Sequence, residues 1–323
     1  MDSDVMPVGH LTQDQVQTVM RACAAAPFVR NERPWRLACT PTALELRAEL
    51  PIATTSTNSS ANISANSSAG ASARTSADGA AELDRRELLL SCGAALLNVR
   101  ATIKVLGAHP AVRLLPDENQ PDLLAVVRPQ AGFPAAAADV ALAEAIARRR
   151  QSHPLTGGIP GPMINRLRQA ARVEQTWLAF LPPDQLADLQ LHLDGDVDGR
   201  DMDGRDGTAV DNGTANGRPS APRPNVMVAV VGTIHDSPLA WLQSGQGMQR
   251  VLLTAGAAGL TTSVLSQAVR ATRTRAQLRQ LIGGAVWPQT IVRLESPTQS
   301  SATRSVSAAV PHEAVHVHRW VTH

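Results

Sequence analysis

Tyrosine is absent from this 323-residue chain, and phenylalanine and tryptophan contribute only three and five residues. Chemistry on a phenol is therefore excluded, and the interior must be built from aliphatic side chains. Cysteine is also scarce. Cys23, Cys39 and Cys92 are odd in number, sit in apolar or helical contexts and lack metal-ligand spacing. They read as reduced, buried thiols of a cytosolic protein, and exclude a disulfide framework. Charge is nearly balanced at +2 with no basic block, so neither nucleic acid nor an anionic membrane is an expected partner. The opening residues carry no basic segment followed by an apolar run, and no window reaches the apolar length of a membrane span. The expected location is the cytoplasm. What is present is 43% hydrophobic and 18% charged residues, enough for a sizeable core in one large domain or two.

The chain is organised around residues 236–265. Asp236, Ser237 and Pro238 form a start signal, a polar cap followed by proline at the first helical position. Leu239, Leu242, Met248, Val251, Leu252 and Ala255 then recur near helical spacing. Small residues fill the rest (Ser244, Gly245, Gly247 and residues 255–258), and glycine costs helix stability unless something approaches closely. Gly259 fits a left-handed cap, and Thr261 to Leu265 are strand-like. Read alone, the stretch is a tightly packed core helix. Residues 85–107 echo it: a shift of 152 residues places Gly93 on Gly245, Gly107 on Gly259, Leu90 on Leu242 and Val99 on Val251. Two half-chains with matching central helices predict a pseudo-symmetric fold packed like a dimer, with the two helices in contact.

Thr12 and Gln15 make a capping box for a helix over 12–26. The loop that follows (Pro27, Phe28, Asn31, Glu32, Arg33, Pro34, Trp35) pins a polar cluster between two prolines and leads into strands near 36–39 and 44–46. Residues 54–81 and 194–224 are low-complexity and are expected to be disordered insertions. Strands are predicted at 111–115, 123–127, 175–181, 225–232 and 288–294, and helices at 163–172, 183–193 and 274–282. A further helix near 136–147 ends in Arg148, Arg149 and Arg150, which fit a solvated helix end or a phosphate clamp equally by chemistry. The acidic run from Asp194 imitates a calcium loop, but Arg205 stands where the closing carboxylate belongs. His316 and His318 in the tail lack a ligand set, and no metal is expected.

Four landmarks in order resemble the nitroreductase-like flavoproteins of actinobacteria, the Acg type. They are residues 26–35; Arg86-Glu87-Leu88 with residues 91–96; residues 145–150; and Gly259-Leu260-Thr261-Thr262 with Pro288-Gln289 and Val292-Arg293. The resemblance implies an α+β, nitroreductase-like fold, two pseudo-symmetric halves in one chain (1–135 and 136–323, with a tail from 296) and central helices flanked by mixed sheets. It implies one FMN between the halves. Pro27, Phe28 and Asn31, with Arg33 beside them, would face the flavin. Arg148 and Arg149 would pair with its phosphate, Arg304 would approach that phosphate, and backbone amides at Gly259, Leu260 and Thr261 would face the isoalloxazine. No side-chain acid or base is required, because the chemistry is the cofactor's.

The implied activity is electron transfer from NAD(P)H through FMN to a nitroaromatic or quinone-like acceptor, in a monomer that mimics a dimer or in a homodimer. Phe28 stands where the family has serine, Arg33 where it has glutamine, and Gln151-Ser152-His153 where it has Thr-Asp-Arg. These departures keep a second reading open, a flavin-binding or flavin-sequestering protein with little turnover. A third, an apoprotein of structural role, follows if the arginines are only a solvated helix end.

Overall fold

A computed structural model describes residues 6–28, 33–49, 69–132, 134–147, 158–182, 226–266 and 269–296, with side chains of the first long central helix described from residue 82. The first half is α1 (Gln13–Ala24), β1 (Trp35–Cys39), β2 (Leu44–Ala48), α2 (Ala69–Val105), β3 (Ala108–Leu114) and β4 (Leu123–Ala131). After α3 (Ala137–Ala147), the second half runs α4 (Gly161–Val173), β5 (Trp177–Leu181), β6 (Val226–Thr233), α5 (Pro238–Ala257), β7 (Thr261–Val264), α6 (Thr272–Leu281) and β8 (Trp287–Glu295). The strand orders are β1-β2-β4-β3 and β5-β6-β8-β7, so the two sheets share one topology. Each central helix lies on its own sheet, and α3 rests against both helices. The α+β class is thus as expected, and the strand order of the first sheet is repeated in the second.

The local signals act as the sequence predicts. Thr12 and Gln15 cap α1 reciprocally. Ser237 caps α5 and accepts a hydrogen bond from the Ala240 N–H, with Pro238 at the first position. Gly107 and Gly259 hold φ of 84° and 81°, the left-handed turn that lets each central helix stop and feed an edge strand. Residues 86–99 of α2 and 244–249 of α5 are buried without interruption, the mark of helices enclosed on all sides.

The helices cross at Gly93 and Gly245. A Cβ on Gly93 would strike the carbonyl oxygen of Leu242, and one on Gly245 would strike that of Leu90. Leu90 and Leu242 are themselves one shift of 152 apart, so the contact is reciprocal. Equivalent residues that touch each other lie on a two-fold axis.

Three expectations are corrected. Residues 69–81, read as part of a disordered insertion, form the opening turns of α2; residues 54–68 and 183–225, including the helix expected at 183–193, lie outside the described residues. The sheets were expected to be mixed, yet every described pairing is antiparallel. Finally, Glu82–Val105 is long and apolar enough to cross a membrane by length and composition, although 83% of the apolar window is buried inside the protein. Its hydrophobicity serves the crossing with α5. The thiols are free; Cys23 and Cys92 are buried, and Cys39 is half-buried. Burial pushes Cys23 up to about 12 and raises Cys92 as well.

Candidate functional site

A two-fold axis creates two related junctions, each between the end of one half's first helix and the central helix and edge strand around it. The second junction lies at the end of α4. Only residues 174–176 connect α4 to β5, and Gln175 takes a left-handed φ of 58° to make the turn. Glu174 turns inward, where Arg100 of α2 meets one carboxylate oxygen at 2.5 Å and Arg250 of α5 meets the other at 2.7 Å. Burial alone would raise this carboxyl, but the two guanidiniums outweigh it and hold it below the usual range. Arg100 also donates to Gln246, and Gln243 donates to Gln175. A cleft of about 240 Å³ remains, lined by Arg100, Pro110, Val112, Leu114, residues 173–175, Gln243 and Gln246.

The first junction lies at the end of α1, and it differs in both size and polarity. Residues 25–34 connect α1 to β1, ten positions against three. The shift of 152 maps Gln243, Gln246 and Arg100 onto Ser91, Ala94 and Leu252, and maps Pro110, Val112 and Leu114 onto Thr262, Val264 and Ser266. Charged and amide side chains on one side are thus small or apolar on the other. Ser91 donates its hydroxyl to the Glu87 carbonyl one turn earlier, and leaves the helix face smooth. The strand β7 is at the edge of its sheet, so alternate N–H and C=O groups face outward.

Of the residues expected at the site, Pro27 and Phe28 are half-buried at the end of α1, and Phe28 meets Trp35 edge-on at 6.0 Å between ring centroids. Arg33 is exposed. Gly259 and Leu260 correct the expectation about the backbone. Their N–H groups donate to Gly256 and Ala255 and close α5, so neither amide is available to a ligand. Thr261 opens β7 and is exposed. Asn31, Arg148, Arg149 and Arg304 lie outside the described residues.

Midway along α2 lie two buried charged residues, Arg86 and Glu87; Glu87, expected from sequence to help cap this helix, is inside it because the helix begins at Ala69. Arg86 is 2% exposed and donates Nη2 to the Val269 carbonyl at 2.8 Å, while its Nε has no partner among the described residues. Burial first, then repulsion by Arg275, lowers its guanidinium to about 10. Glu87 is 3% exposed; Arg270 donates to Oε2 at 2.5 Å, and Oε1 has no partner among the described residues. Arg86 Nε and Glu87 Oε1 are thus a buried donor and a buried acceptor left open among the described residues, an arrangement that costs stability. The first junction itself offers a small-residue helix face and an edge strand, a flat surface that a planar ring can approach. The Arg-Glu pair was visible in sequence, but its partners at 269–270 lie 183 residues away. Among the described residues no group of three or more His, Cys, Asp or Glu could hold a metal ion.

No protein-family model matches the chain. It is 28% identical over 320 residues to "Putative NAD(P)H nitroreductase Rv3131" of Mycobacterium tuberculosis strain H37Rv, which covers 87% of this chain and 85% of the relative. The same figures hold for "Putative NAD(P)H nitroreductase MT3217" of strain CDC 1551. Among solved structures, a nitroreductase with bound FMN from Bacteroides fragilis aligns over 56% of this chain and 97% of its own at 15% identity and a TM-score of 0.33. An NADH dehydrogenase/NAD(P)H nitroreductase from Parabacteroides distasonis, its assignment likewise marked putative, aligns over 55% and 98% at 13% identity and a TM-score of 0.32.

Proposed function

We propose that this chain is a nitroreductase-like flavoprotein of the Acg type, an oxidoreductase that binds one FMN at the first junction and passes electrons from NAD(P)H to a nitroaromatic or quinone-like acceptor. The observation that carries this reading is the inequality of the two junctions. One keeps a ten-residue loop and a smooth helix face; the other has a three-residue connection and is narrowed by Glu174 and two arginines. The likeness to the mycobacterial relatives, whose names carry the same activity, runs along most of the chain.

FMN, when bound, supplies the two-electron chemistry between the nicotinamide and the acceptor. The chain's part is to bind and orient. Phe28, braced by Trp35, would wall the flavin from the loop side, with Asn31 of the same loop as a further contact. The outward groups of β7 from Thr261 onward would bind the ring's polar edge. Arg148 and Arg149, with Arg304, would hold the phosphate as charge-assisted donors. No side chain moves a proton in this scheme, which agrees with the absence of tyrosine.

Each arginine–phosphate hydrogen bond is worth roughly 1.5–3 kcal/mol, and about 1.4 kcal/mol is a factor of ten. Arg148→Ala is therefore expected to weaken FMN about ten-fold or more in a flavin fluorescence titration, and riboflavin hardly at all. Asn31→Ala is expected to weaken both alike. Unchanged FMN affinity in both Arg148→Ala and Arg149→Ala would end the site assignment. A visible spectrum before and after NADPH separates turnover from sequestration, since only a reductase bleaches.

A further inference from the structure

The cleft at the second junction is not used by the flavin. One wall is apolar, from Pro110, Val112 and Leu114 at alternate positions of β3. The facing side carries Arg100, Gln175, Gln243 and Gln246. Charge does not cancel here, because Arg100 and Arg250 share the single carboxylate of Glu174. Arg100 commits only Nη1, to Glu174 and to Gln246, each at 2.5 Å. Its Nε and Nη2 take no partner among the described residues. Gln246 gives its oxygen to Arg100, and Gln175 gives its oxygen to Gln243 at 2.9 Å, so both carboxamides keep their N–H groups as donors. Glu174 itself is 6% exposed and fully engaged, so it fixes Arg100 in place and leaves the guanidinium's remaining edge to the cleft.

We propose that this cleft is a second binding site, selective for a small planar monoanion of the aromatic-carboxylate class. A mainly polar cleft with one apolar wall, rimmed by donors and carrying one positive charge in excess, matches a flat ring bearing one carboxylate. Size points the same way. The cleft holds about 240 Å³, below the roughly 300–1,000 Å³ of sites for drug-sized ligands, a size suited to a single ring. The neutral analogue loses the charge-assisted bonds that the surplus guanidinium offers. The site stands on its own residues and does not depend on flavin at the first junction.

Benzoate is the probe, benzamide its neutral control, and the full chain saturated with FMN the sample. Calorimetry and ligand-observed NMR are expected to give one benzoate per chain, with benzamide weaker by about ten-fold or more. Val112→Trp, which fills the slot from its apolar wall, is expected to abolish benzoate binding and leave the flavin spectrum unchanged. Gln246→Glu keeps an acceptor for Arg100 but cancels the surplus charge, and is expected to weaken benzoate by a similar factor should the tryptophan variant fail to fold. Absence of saturable binding, equal affinity for benzamide, or benzoate binding that survives both substitutions would overturn the proposal. The same titration on flavin-free protein keeps it separate from the flavin assignment, which fails only if FMN itself does not bind.

Discussion

At the scale of single residues, Gly93 and Gly245 have the least latitude in the molecule. Each faces a backbone carbonyl of the opposite helix, and their would-be Cβ atoms also lie 2.9 Å from the other glycine's Cα. Backbone cannot rotate away as a side chain can, so an added methyl must separate the helices. Gly93→Ala and Gly245→Ala are each expected to cost about 1–3 kcal/mol, the usual range for overpacking, or more. Urea denaturation reads this directly, and a loss under about 0.5 kcal/mol would show that the crossing has slack. Glu174 is the complementary case, a residue held by attraction. Its carboxyl is depressed in the folded chain, so its contribution is present above the unfolded value near 4.3 and is lost as pH falls through the lower folded value. At neutral pH, Glu174→Gln is expected to cost about 3–5 kcal/mol, as for one partner removed from a buried ion pair. Below about pH 4, the wild type should lose stability and approach the variant. A gap that persists unchanged to pH 2 would mean that the charge does not matter.

At the scale of elements, α5 is anchored by the residue just ahead of its cap. Asp236 accepts from Trp241 Nε1 at 2.6 Å, from Arg275 Nη2 at 2.7 Å and from Gln289 Nε2 at 3.1 Å, which ties the start of α5 to α6 and β8. Burial would raise its carboxyl, and these donors reverse that. Asp236→Ala leaves Trp241 Nε1 without its acceptor, while Arg275 keeps Gln289 and Gln289 keeps Thr233; it is expected to lower stability by about 1–3 kcal/mol, with hydrogen exchange rising first in α6, and uniform exchange would argue against the anchor. Most elements of this kind were legible beforehand, because caps, glycine stops and apolar periodicity are local. Ser237-Pro238, Gly107, Gly259 and the Thr12–Gln15 box all acted where they were read. What was not legible depends on distant partners. Residues 69–81 hold six alanines, which favour helix, but the Ser, Thr and Gly between them do not, and continuity with a well-packed segment decides the outcome. Likewise Glu174, in an ordinary-looking helix end, finds Arg100 and Arg250 more than seventy residues away on each side. The fate of the Gly259 and Leu260 amides was misread for another reason: a glycine cap satisfies donors as well as turning the chain.

At the scale of the whole molecule, each half's central helix is buried by the other half. Val99, Leu96 and Leu97 of α2, and Leu242, Val251 and Ala255 of α5, have no measurable exposure. A fragment comprising residues 1–135 alone would present that surface to water, and contiguous apolar patches of several hundred Å² drive association. It is expected to aggregate or self-associate when expressed alone, and to be recovered as a soluble 1:1 complex when co-expressed with residues 136–323, as read by size-exclusion chromatography with light scattering. A soluble, monomeric and cooperatively folding 1–135 fragment would contradict the shared core.

The covalent link between the halves also changes how a substitution is counted. In a two-fold pair of identical chains, any change beside the axis enters both junctions at once, and a residue that improves one is imposed on the other. Within a single chain it enters once. Ser91 and Gln243, Ala94 and Gln246, Leu252 and Arg100 stand in equivalent places and are free to differ. Linkage therefore releases variation at one junction from selection at the other. Only at Gly93 and Gly245, where equivalent residues meet, does each position still constrain its counterpart.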